Sequence, residues 1–263
     1  MLNYIDTHTH LYLEQFDKDR NSVVENAVQA GVEMMLLPNV DEETIQPMMD
    51  LCVAFPANCK PMMALHPTSV KADFEEVLAR IKPWFEKGTM CAVGETGIDL
   101  YWDKTFFAQQ VQAFKTQIEW AFEFDLPVVI HSRNSVEEIM QVLEAYRGTG
   151  LKGVMHCFPG NVEQAHWFTE FGFALGIGGV VTYKKSMMAK VVEEVDAEYL
   201  ILETDAPYLP PVPYRGKRNE SAYIPIIAQK VAELKSMDVE SIAQITTDNA
   251  KKLFQLSQDR KHE

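Results

Sequence analysis

Residues 127–138 read P-V-V-I-H-S-R-N-S-V-E-E. This is an apolar run closed by His131, followed by Ser135 with Glu138 three residues on, a helix-start signal. The run is apolar without alternation, as in strands covered on both faces. The same grammar returns at 153–164, where G-V-M leads into His156 and Asn161 with Gln164 signals the next helix. Outward from these two units, apolar runs occupy 2–6, 34–38, 61–65, 90–94, 127–131, 153–156, 173–177 and 199–203, with starts 20 to 37 residues apart. That is the spacing of strand–helix units. Between them, Phe74, Val77, Leu78, Ile81, Trp84 and Phe85 predict a helix over 74–85 behind an Asp73/Glu76 capping box. Val111, Phe114, Ile118, Ala121 and Phe122 mark another helix, and 222–235 and 239–255 read as two more. No repeat or linker divides the chain. The expectation is an α/β fold, a single (β/α)8 TIM-barrel domain over residues 1–263 with its site at the C-terminal ends of the strands.

The 263 residues carry a formal charge of −14, which argues against a surface that coats nucleic acid broadly but permits a phosphate bound locally. No apolar stretch reaches the roughly 20 residues of a membrane span, and M-L-N-Y-I-D enters a strand at once, so a soluble, cytoplasmic protein is expected, with no membrane partner. Cys52, Cys59, Cys91 and Cys157 lack C-x-x-C spacing and read as free thiols.

Chemistry-bearing residues gather at the strand ends. His8 and His10, two apart, project from one face and could hold a cation between them. His131 and His156 could supply a second position. Glu95, read as the end of strand four with Thr96-Gly97 as the turn after it, could bridge two ions. Asp205, after strand eight, could bind one ion and accept the proton of the attacking water, making Asp205 and Glu95 the candidate catalytic carboxylates. Glu203 faces the same way as a supporting partner. Each alone reads more readily as a polar strand end or cap; their joint occurrence is what points to a metal site. His66, held at the rim before Pro67, fits a structural role or a contact to phosphate. The loop 204–223 carries Arg215, Lys217 and Arg218, which with Arg133 suit phosphate oxygens, although a solvated basic turn reads the same.

Taken together, D-T-H-T-H at 6–10, H-P at 66–67, G-E-T-G-I-D at 94–99, P-V-V-I-H-S-R at 127–133, H-C-F-P-G at 156–160 and the long E-T-D-A-P-Y-L-P-P-V-P-Y-R-G-K-R-N-E at 203–220 resemble the TatD family of metal-dependent deoxyribonucleases and hydrolases, within the amidohydrolase-like barrels. The resemblance implies two divalent metal ions (Mg, Mn or Zn) on His8, His10, Glu95, His131, His156 and Asp205. It also implies phosphodiester hydrolysis by a metal-bridging hydroxide, often exonucleolytic on DNA. Histidine-rich ligation favours Zn, Mn or Ni by softness, whereas the family commonly uses Mg. Ala206, Tyr214 and Leu100 depart from the family's frequent Ser, His and aromatic; they bear on substrate preference and leave every ligand in place. The alternative is hydrolysis of another bond: a carboxyl ester, lactone, amide or aminoacyl-tRNA ester.

Overall fold

A computed structural model describes residues 2–256. Among them, eight parallel strands alternate with helices: β1 (Tyr4–Asp6), β2 (Val32–Pro38), β3 (Cys59–Met62), β4 (Val93–Asp99), β5 (Val128–Arg133), β6 (Gly153–Met155), β7 (Phe173–Ile177) and β8 (Leu200–Leu202). The helices are α1 (Arg20–Gln29), α2 (Glu42–Ala54), α3 (Phe74–Ile81), α4 (Phe107–Glu123), α5 (Val136–Glu144), α6 (Val162–Phe171), α7 (Met187–Glu194), α8 (Ile224–Lys235) and α9 (Val239–Leu253). The ladders run β1-β2-β3 and β4-β5-β6-β7-β8. Two seams join them. Met63 bridges Val93 between β3 and β4, and Thr9 bridges Ala206 between β8 and β1. Main-chain bonds across the seams, Gly94 N to Met63 O and Thr7 N to Leu202 O, complete the TIM barrel.

Alternation along the strands sorts their side chains into two packed layers. Ile5, Leu36, Met62, Ala92, Val129, Val154 and Ile201 fill the barrel interior, together with Ala250 of α9 and Phe254 directly after it. Their neighbours Tyr4, Leu37, Val128, Ile130, Met155, Leu200 and Leu202 pack outward against the helices. This parity aims the site. His131, His156 and Glu203 each lie two residues past an interior residue, so they continue the interior row at the mouth.

The local helix signals meet mixed fates. Asn161 and Gln164 form the full capping box at α6. Asp73 makes no side-chain cap, and the helix expected over 74–85 stops at Ile81, where Pro83 turns the chain into a 3-10 segment, Lys82–Lys87. Ser135 does not cap α5 either, because its hydroxyl donates to Ile98 O at 2.6 Å and ties α5 to β4 instead. No helix among the described residues is long and apolar enough to cross a membrane.

Candidate metal centre

The corner between β1 and β8 is fixed first. Asp6 is fully buried and accepts from Thr204 Oγ1 (2.6 Å), Thr204 N (2.9 Å) and His8 N (3.3 Å). Burial pushes its carboxyl up to about 7 against those hydrogen bonds. Asp205 N donates to His8 O, and His10 N donates to Ala206 O. Asp205 takes a positive φ of 59°, a turn that Asp tolerates better than most residues, and this brings its carboxylate back over the mouth.

Glu95 is the second fixed point, and here the sequence expectation needs correction. It does not end its strand: β4 runs on through Thr96 and Gly97 to Asp99. An irregularity in the β4–β5 register between Val93 and Thr96 accompanies Glu95's position. The two carboxylate oxygens serve different groups. Oε2 lies 3.1 Å from His8 Nε2 and 3.8 Å from His10 Nε2. Oε1 lies 2.9 Å from His131 Nδ1, 3.6 Å from His66 Nε2 and 3.9 Å from His156 Nε2. Asp205 Oδ1 stands 3.5 Å from His10 Nε2, 3.8 Å from His156 Nε2 and 3.9 Å from His8 Nε2. All six ligands expected from the sequence therefore meet at one mouth.

Hydrogen bonding on the far side of the ring orients His10, His131 and His66. Tyr12 donates its only hydroxyl proton to Pro38 O, so its oxygen accepts from His10 Nδ1 at 2.8 Å. His10 Nε2 is thereby left with a lone pair facing the centre. His131 Nε2 donates to Asp99 Oδ2 at 2.9 Å, which turns its Nδ1 toward Glu95. His66 is the reverse case. Its Nδ1 accepts from Thr68 N (3.2 Å) and from the Thr68 hydroxyl (2.6 Å), so its Nε2 presents a proton to the mouth rather than a lone pair. His156 stacks on His8 at 3.5 Å, and its Nδ1 sits 3.0 Å from Glu203 Oε1, out of line for a hydrogen bond but close enough for charge pairing.

These contacts leave the His10 Nε2 lone pair facing carboxylate oxygens of Glu95 and Asp205 at short range. His8 and His10 bring their Nε2 atoms within 3.2 Å, beside Glu95 Oε2. A cation relieves that juxtaposition. His8, His10 and Glu95 form one convergent donor group, and His8, His156 and Asp205 form another. His66, Glu95 and His131 also converge, but the proton on His66 Nε2 leaves Glu95 and His131 as its donors. The mixed nitrogen and oxygen set fits a borderline divalent ion.

The charges agree. Burial raises Glu95, yet the imidazoles ringed around it (His8, His66, His156 and His131) hold it well below the ordinary carboxylate range. Asp99, opposed by burial, is drawn down to about 2 by His131 and the amides of Tyr101 and Trp102. Burial lowers His8 and His66, which favours their neutral forms, whereas Asp99 and Glu95 raise His131 against its burial and Glu203, Glu95 and Asp205 push His156 up to about 10, so these two rings would shed a proton on taking a cation.

The basic residues have different partners. Arg218 spends its terminal N–H groups on Gln15 O, both oxygens of Asp19, and Glu220. Arg215 lies 4.5 Å from the Tyr183 ring centre and Lys217 5.7 Å from that of Tyr214. Of the loop cations, Arg218 is therefore taken up by acidic partners, while Arg215 and Lys217 stand near aromatic rings. Arg133 is at the rim over Tyr101 and Trp102. Tyr12 and Asp99 were not singled out by the sequence reading. The alternation His8-His10-Tyr12 was a signal for the first, and the D of G-E-T-G-I-D for the second.

Residues 5–255 match the family model described as TatD related DNase. The chain is 39% identical over 253 residues to the uncharacterized metal-dependent hydrolase YabD of Bacillus subtilis, covering 96% of this chain and 99% of that one. It is 30% identical over 258 residues to the 3'-5' ssDNA/RNA exonuclease TatD of Pectobacterium parmentieri, covering 96% and 99%. The crystal structure of YJJV, a TatD homologue from Escherichia coli, superposes with a TM-score of 0.90 at 28% identity over 97% of this chain and 98% of the other. Convergent donors on a barrel, and matches across nearly the whole chain, lead to one conclusion: this chain belongs to the TatD family of metal-dependent hydrolases.

Proposed function

We propose that the chain hydrolyses phosphodiester bonds, acting as a nuclease that shortens DNA strands from an end. The observation that carries this reading is Glu95, which offers one oxygen to the His8/His10 side and the other to the His131/His156 side. A phosphodiester presents a tetrahedral anion to such a paired site. The exonuclease named among the relatives supports the nucleic-acid substrate.

His8, His10, Glu95 and Asp205 would hold one divalent cation, and Glu95, His131 and His156 a second. Such ions lower the pKa of bound water and neutralise charge on a phosphoryl oxygen. Asp205 is the carboxylate best placed to take the proton of the attacking water, with its side chain 14% exposed against 4% for Glu95, 2% for Asp99 and 1% for Glu203. His66, with its proton on Nε2, donates toward a phosphoryl or leaving oxygen. Tyr12, Asp99 and Glu203 keep the imidazoles in orientation.

The test is a comparison of 3′-labelled single-stranded DNA, bis-p-nitrophenyl phosphate and a panel of carboxyl esters, each with Mg, Mn and Zn. Metal-dependent release of nucleotides is expected. Turnover confined to esters would reject the phosphodiesterase reading.

A further inference from the structure

Of the chain's four tryptophans, Trp84 and Trp167 are half-buried and Trp120 is buried, whereas Trp102 is 68% exposed, beside Tyr101 at 52%. The pair occupies the turn directly after β4, with ring centroids 4.8 Å apart and planes at 87°. Arg133, the last residue of β5, places its guanidinium 3.9 Å from the Tyr101 ring centre and 5.1 Å from that of Trp102. Large aromatic faces left in water forgo the burial that stabilises the rest of the core, and such a patch marks a binding surface.

The turn is anchored. Asp99 Oδ1 accepts from Tyr101 N at 2.9 Å and Trp102 N at 3.1 Å, while Oδ2 lies 2.9 Å from His131 Nε2. A single carboxylate thus sets the distance between the exposed rings and an imidazole of the metal centre. The electrostatics ask for such a contact. At a formal charge of −14 the protein repels a polyanion at range, and Arg218 of its loop cations is already ion-paired with Asp19 and Glu220. Stacking needs no net charge, and an arginine beside the rings adds attraction for a π face.

We infer that Tyr101, Trp102 and Arg133 form a nucleobase-stacking platform at the rim of the metal centre, taking an unpaired base of a single-stranded substrate. The inference rests on the phosphodiesterase reading and narrows it, because bases in an intact duplex already stack on one another.

Fluorescence anisotropy of the full chain with a 5′-fluorescein-labelled single-stranded oligodeoxynucleotide tests this, in EDTA and again with calcium. An abasic strand of equal length and charge is the control. The base-bearing strand is expected to bind about 5- to 150-fold more tightly. The double variant Tyr101→Ala/Trp102→Ala should lose that preference, and Trp102→Phe should keep most of it; far-UV circular dichroism checks that each is folded. Equal affinity of both strands for the wild type, no binding of either, or a base preference that survives in the double variant would each overturn the platform. Failure of the phosphodiesterase reading looks different: no turnover of any phosphodiester with any ion, alongside intact base-dependent binding.

Discussion

At the β8–β1 seam the buried carboxylate of Asp6 accepts from Thr204 and His8, beside the Thr7 hydroxyl, which donates to Leu202 O. At the β3–β4 seam the stitching group is an amide. Gln117 of α4 accepts from Leu65 N and donates to Leu65 O and Thr96 Oγ1. Both seams break a regular ladder, and both deliver candidate ligands: His8, His10 and Asp205 at one, Glu95 at the other. A buried amide can satisfy strand edges without charge, so the second seam is built for stability. A buried carboxylate is costly on its own and is better tolerated beside cations, so the first seam is built around the chemistry it borders.

The sharpest way to break this contrast is Asp205→Asn. Loss of the proton acceptor and of a candidate ligand is expected to cut kcat by about 10³-fold or more, while the melting temperature stays within a few degrees. Wild-type turnover would remove the carboxylate seam from the chemistry.

The lower end of the amide seam offers a second test. Cys59 begins β3, Cys91 N donates to Pro61 O, and burial pushes the Cys52 and Cys59 thiols from an ordinary 9.0 up to about 12. Native iodoacetamide labelling of these two at pH 8 should be about 10³-fold slower than in urea, read by mass spectrometry. The native state holds these protons more tightly than the unfolded state. Stability is therefore complete below pH 9 and declines as pH climbs from 9 toward 12, which urea titrations across that range would show. Rapid native labelling would mean the lower seam is open.

Gln117→Leu comes next. It leaves Leu65 N, Leu65 O and Thr96 Oγ1 without their partner and should cost about 2–4 kcal/mol in urea denaturation. Asp6→Asn is milder at about 1–2 kcal/mol, since the shape and one acceptor oxygen survive. If Asp6→Asn proves the more damaging of the two, the assignment of stability to the amide seam is reversed.

The barrel was legible because strands buried on both faces leave uninterrupted apolar runs, and its mouth was legible because His8, His10, His131, His156 and Asp205 follow those runs directly. The upper half of β4 was not, since Gly94–Asp99 is rich in glycine and carboxylate and looks like a turn. Its extended form comes from pairing with Ile130–Arg133 across the sheet. The Ser135 cap failed for a related reason: a hydroxyl that suits the helix amides also suits Ile98 O, and only the fold decides between them. Arg218 could not be read locally either, because its bidentate partner Asp19 lies 199 positions away in the chain.

Gly97 carries a consequence for how this protein could diverge. Its φ is +135°, and a Cβ built there would stand 2.1 Å from the His131 carbonyl oxygen. Any other amino acid would wedge the backbone under Glu95 away from the one under His131. A saturation library at this codon should return glycine alone among active clones, while the rim loops remain free to drift toward new specificities.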